Sequence, residues 1–172
     1  MFSLSSTLSL LLPLAASLPT SPAPVSAPFA ISLVTPNYPR LSLNIDKSNV
    51  IGVYNLVFQR PTAYPGTPAY FNDIYLDFAV PDEENPYYMD IVDGEGVRDV
   101  LAIYGAGSGT NKFGLEGTKL VVTGEPADEG FLACNTTLFD GGSILGLKWG
   151  PNAVPVEGCV SAELVQNFVY GN

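Results

Sequence analysis

Four carboxylates, Asp90, Asp93, Glu95 and Asp99, fall within one short stretch, with Gly94 and Gly96 between them. Hard cations are held by several carboxylate oxygens gathered on a turn, and glycine permits the sharp bend such a turn needs. The stretch is therefore a calcium candidate. Its spacing is not that of an EF-hand, because Asp-x-Asp-x-Asp-Gly is absent. The first reading is a solvated acidic loop that keeps the chain soluble, with no resident metal. Paired carboxylates can also serve as acid and base in glycoside hydrolysis, flanking the sugar at roughly 5 to 10 Å. Seventeen Asp and Glu make such a pair easy to compose, yet no spacing selects one, so no catalytic residue is assigned.

The chain contains no histidine. This excludes Ser-His-Asp and Cys-His nucleophile pairs and the common His-based zinc, copper and iron sites. Gly105-Ala-Gly-Ser-Gly-Thr-Asn-Lys112 is Gly-rich and follows a strand-like run. It has neither P-loop spacing nor a Gly-x-Gly-x-x-Gly pattern, and reads as a hairpin loop rather than a phosphate cradle. No motif implies a cofactor.

Nine Tyr, nine Phe and one Trp offer flat faces that stack on sugar rings while polar tips stay wet. Tyr87-Tyr88, Tyr70-Phe71 and Tyr64 are candidates for such a surface. The competing reading packs most of these rings in the core, with Trp149 as a core plug. Asn135-Thr136-Thr137 is a glycosylation sequon, predicting an N-glycan at Asn135 on an exposed loop. The two cysteines, Cys134 and Cys159, are expected to pair in an oxidising compartment. By loop entropy, a bridge closing about 26 residues contributes on the order of 3 kcal/mol.

The elements that must position these groups read as strands. Phe29–Thr35, Ile51–Gln59, Ala69–Phe78, Tyr87–Val92, Val100–Tyr104, Thr118–Thr123, Ser143–Trp149 and Cys159–Tyr170 are rich in β-branched and aromatic residues. Gly, Pro, Asn and Asp clusters separate them every 8 to 15 residues or so, the spacing of an antiparallel sandwich or barrel. The prolines of 60–68 keep that segment out of any ladder. No window carries a long helical stripe.

Residues 1–17 have the form of a secretory signal peptide, an apolar run ending in Ala15 and Ser17. The run is too short to span a bilayer, which takes roughly 20 residues. Residues 18–28 read as a Pro/Ser/Ala spacer, and 29–172 as a single domain, large enough to bury a core. The net charge is −10, with nine acids and one base, Arg98, between Asp73 and Asp99. Such a chain has no electrostatic footprint for nucleic acid or for anionic membrane surfaces.

Gly130-Phe-Leu-Ala-Cys134, the strand ending Leu145-Gly-Leu-Lys-Trp-Gly150, and Pro155-Val-Glu-Gly-Cys-Val160 resemble the C-terminal signature of small secreted fungal proteins of the phialide cell-wall and IgE-binding type. The opening Phe29-Ala-Ile-Ser-Leu-Val-Thr35 is similar to their first strand. The resemblance implies a secreted or cell-wall location and no established enzymatic site.

The expected protein is thus an all-β, single-domain antiparallel sandwich or barrel with one bridge. Its expected role is that of a secreted, non-catalytic glycoprotein of a cell wall or extracellular surface, acting in structure or interaction. Cell-wall polysaccharide or an extracellular protein would be its partner. A carbohydrate-binding module, a carboxylate-based glycoside hydrolase and a host-directed effector are the alternatives.

Overall fold

The computed structural model describes residues 26–35, 38–61, 66–105, 109, 112–138, 140–152 and 156–167. Residues 1–17, read above as a signal peptide, and residues 18–25 of the expected spacer lie outside them. The described strands are β1 (Ala30–Thr35), β2 (Tyr38–Lys47), β3 (Val53–Gln59), β4 (Ala69–Asn72), β5 (Tyr75–Phe78), β6 (Tyr87–Ile91), β7 (Arg98–Tyr104), β8 (Lys112–Glu116), β9 (Lys119–Thr123), β10 (Glu129–Thr137), β11 (Ser143–Pro151), β12 (Cys159–Ser161) and β13 (Glu163–Asn167). All their ladders are antiparallel and join into one curled sheet, a half-barrel.

The ladders can be followed in a ring. β11 pairs with β10, β10 with β12, β13 with β1, β1 with β2, β2 with β3, and β3 with β11. β12 and β13 are one run bent at Ala162, whose N–H bonds the Phe131 carbonyl at 2.9 Å instead of continuing the ladder. The expected single strand from Cys159 therefore serves three neighbours, β10 through β12 and β1 and β9 through β13. β7 also pairs with β3 and β11, and it carries β6, β5 and β4 outward. Ser26 and Phe29 bond along β4, which partly covers that edge.

Curling gives the sheet an inner face with period 2. Phe29, Ile31, Leu33, Leu43, Leu56, Leu76, Phe78, Met89, Ala102, Leu147 and Leu164 are almost wholly buried there. Alternate residues face out, as Asp99 and Lys148 do in their cross-strand salt bridge.

Three expectations are corrected. Ala69–Phe78 is not one strand but a hairpin, turning at Asp73 and Ile74 between the paired Asn72 and Tyr75. Asp73 takes φ 58°, a conformation its short polar side chain tolerates. β2 follows Thr35 closely despite Pro39, where a turn alone was expected. The β1–β2 register shifts between Leu33 and Thr35, so Pro39 and Arg40 stand opposite Val34 in a bulge that needs no ladder donor. The Gly-rich segment is not the loop of a hairpin: β8, which follows it from Lys112, pairs with β9, while β7 before it pairs with β3, β6 and β11.

Candidate site at the Trp149 mouth

Strand β7 runs between two mouths of the half-barrel, with Arg98 at its start and Tyr104 at its end. Register sets what meets Arg98. Trp149 is its cross-strand partner on β11, and Phe131 on β10 is the partner of Trp149. All three share the inner face with Glu129, two residues before Phe131. The indole is 4 % exposed and meets the Phe131 ring edge-on, with centroids 4.9 Å apart.

The polar contacts of this mouth converge on one cation. Arg98 Nη2 donates to Glu125 Oε2 at 3.0 Å and also to Glu129 Oε2. Trp149 Nε1 donates to the same Glu129 oxygen at 2.7 Å. Glu125 comes from the turn after β9, and Glu129 opens β10. Burial of the Arg98 guanidinium by itself favours loss of its proton; the hydrogen bonds and negative charges of Glu125 and Glu129 outweigh this and raise its pKa. Its Nε is buried with no hydrogen-bond partner among the described residues.

A cavity of about 970 Å³ opens beside this group. Its apolar wall includes Val34, Leu120, Val122, Phe131 and Trp149, and its charged wall Glu116, Lys119, Glu125, Glu129 and Glu163. The volume is in the range of small-molecule sites, about 300–1,000 Å³, which favour the mouths of β-barrels.

The opposite mouth is built of tyrosines. Tyr87 meets Tyr54 edge-on at 4.8 Å and Tyr104 edge-on at 5.6 Å. Tyr54 Oη donates to Glu83 Oε1 at 3.3 Å, and Asn85 Nδ2 donates to Tyr104 Oη at 2.6 Å. Burial, the Tyr54 hydrogen bond and the charges of Tyr54, Glu83 and Tyr104 push the Tyr87 phenol up to about 12. Val50 and Ile51, on the turn between β2 and β3, stand exposed beside this groove.

The sequence-predicted residues distribute differently. Asp90 is half-buried on β6, Asp93 and Glu95 are exposed on the turn before β7, and Asp99 pairs outward with Lys148. No group of three or more His, Cys, Asp or Glu among the described residues is placed to hold a metal. Of the stacking candidates, Tyr87 is buried in the tyrosine mouth, Tyr88, Tyr70 and Phe71 are half-buried, and Tyr64 lies outside the described residues. Trp149 is a core residue. Burial, followed by the charge of Asp77, raises the Tyr70 pKa. Most of the Gly-rich loop also lies outside the described residues; Gly109 is buried so closely that a Cβ there would come within 2.9 Å of the Tyr88 ring.

Cys134 and Cys159 form the bridge as cross-strand partners on β10 and β12, with Cα atoms 4.0 Å apart. Asn135 is exposed, but on strand β10 opposite Leu145 rather than on a loop. The ladder extends past Cys134 because β11 is long enough to pair the whole sequon.

Sequence reasoning missed Arg98, Glu125 and Glu129. The mouth joins residues 27 and 31 positions apart, on two strands and a turn, which no local spacing reports. The readable part of the signal was the lone arginine at the end of an acidic stretch. Family models, curated proteins and solved structures offer no match to this chain.

Proposed function

We propose that this chain is a secreted, non-catalytic glycoprotein of a cell wall or extracellular surface, acting in structure or interaction, with the Trp149 mouth as its binding site. One observation carries the non-catalytic reading. Glu125 and Glu129, the two carboxylates that converge beside Trp149 at the cavity, are both bonded to Arg98. The guanidinium occupies the space between them, where a scissile glycosidic bond would have to sit. The signal-like N-terminus, the exposed sequon asparagine and the resemblance to secreted fungal wall proteins support the location.

A second reading, a carbohydrate-binding module, is favoured by the tyrosine mouth. There the half-exposed Tyr104 lies beside Tyr54, Glu83 and Asn85, an apolar face with polar groups at its rim.

The test is a pull-down of the purified protein with insoluble chitin, β-glucan and cellulose, with and without calcium, while released sugar is assayed. Retention without sugar release is the expected result. Sugar release that disappears in a Glu129→Gln variant would replace this reading with a hydrolase. Endoglycosidase treatment of the secreted protein should lower its mass, and an Asn135→Gln variant should already have the lower mass.

A further inference from the structure

We propose that the Trp149 mouth takes a small amphipathic amine, an apolar body ending in an ammonium group. The inference rests on the reading of this mouth as the binding site and names its ligand class.

The charges select the head group. Glu116, Glu125, Glu129 and Glu163 border the cavity, against Lys119 and the inward Arg98. Lys119 is spent on Glu163 at 3.3 Å across β9 and β13. Arg98 is shared by Glu125 and Glu129, so one cation faces two carboxylates. The cavity therefore carries an excess of negative charge, which repels carboxylates and phosphates and attracts a cation. A bare metal ion is a poor fit, because the described residues gather no trio of ligating side chains. An ammonium differs in needing only hydrogen-bond acceptors within reach, and carboxylates bind it by charge-assisted hydrogen bonds.

The walls select the body. Leu120, Phe131 and Trp149 form a floor that is already only 2 %, 6 % and 4 % exposed, so the apolar surface open to a ligand is that of half-buried Val122 and of Val34, 47 % exposed at the rim. A hydrocarbon chain along them removes apolar surface from water, while its ammonium remains at the level of the carboxylates. The volume of about 970 Å³ accommodates a body of roughly ten carbons.

The chain carries its own reporter, because Trp149 is its single tryptophan. The purified protein is titrated with decylamine, decanol and decanoate, each below its micelle concentration, while Trp149 emission is followed. The amine should change the emission saturably, at a half-saturating concentration about tenfold below that of the alcohol, the worth of one charge-assisted contact. Decanoate should bind more weakly still. Equal responses to the three heads, or no saturable response to the amine, overturns the proposal.

Glu116 is exposed on β8, so its neutralisation leaves the fold intact. Glu116→Gln should raise the half-saturation for decylamine about threefold and leave that for decanol unchanged. The same change for both ligands overturns the charge assignment. The outcome is independent of the polysaccharide pull-down: amine selectivity supports the proposal even where no polysaccharide is retained, and amine indifference overturns it even where one is.

Discussion

Trp149 and Glu129 are joined by a 2.7 Å hydrogen bond from the indole Nε1 to the carboxylate Oε2, the oxygen that Arg98 also engages. The contact ties the largest ring of this mouth to its ion group. The side chains of Arg98, Glu125 and Glu129 are 13 %, 19 % and 24 % exposed, so the group is largely shielded from water. Arg98→Met leaves two carboxylates facing each other without a cation. We expect a loss of about 2–3 kcal/mol, the lower end for a broken buried pair, because some solvent reaches the acids. Thermal unfolding should shift down by about 5–10 °C. Adding Glu125→Gln and Glu129→Gln to Arg98→Met should recover most of the loss, and failure to recover would assign the cost to packing.

Tyr87 should titrate late. Its phenol is pushed from 10.0 up to about 12 in the folded protein, chiefly by burial. Above pH 10 the unfolded chain gives up this proton while the folded chain retains it. The stabilisation is thus complete below pH 10 and is lost as pH rises toward 12. Phenolate absorbance should show a late-titrating tyrosine that disappears in Tyr87→Phe. A Tyr87→Phe protein with an unchanged alkaline limb of stability would refute the assignment.

Gly66 is fixed by its surroundings. Its φ is +126°, and a Cβ added there would meet the Leu43 carbonyl oxygen at 2.7 Å. The neighbouring Thr67 bonds that same carbonyl through its N–H and accepts the Ile45 N–H at Oγ1, so this segment is tied to β2. Gly66→Ala should cost about 1–3 kcal/mol through strain and displaced backbone. Urea unfolding measures it, and a midpoint within error of the parent protein would contradict the account.

Replacing both Cys134 and Cys159 by alanine should remove about 3 kcal/mol, by the loop-entropy estimate for a separation of 25 residues. β12 is three residues long and, among the described residues, pairs with β10, where the bridge adds to three ladder pairs. Hydrogen exchange should rise first at Val160 and Ser161 of β12. Uniform loss of protection across the sheet would place the effect in the unfolded state alone.

The all-β class and the bridge were legible because alternation and cysteine count are local or compositional signals. The hairpin at Asp73 was hidden, since Phe71, Ile74, Leu76 and Phe78 read as one apolar run and the turn carries no glycine. β2 was hidden by Pro39, which signals a break unless a bulge is there to receive it. The ion group of the mouth was not legible at all. Arg98, Glu125 and Glu129 meet only after β7, β10 and β11 are in register, and the acid-rich stretch of 73–99 drew attention to Asp93, Glu95 and Asp99, which the fold leaves exposed.

Because β1 completes its pairing only with β13, residues 30–34 wait for residues 163–167 before the ring can close. A ribosome must therefore deliver nearly all of the described strands before β1, already beside β2, finds its second partner. Contacts this distant in sequence slow folding, and they leave Ile31 and Leu33 exposed on an open sheet edge in the interval. The chain depends on its early handling, because Cys159 precedes β13 in sequence and can bridge to Cys134 while β1 still lacks its last partner. Folding should be a late, single event rather than a progressive one.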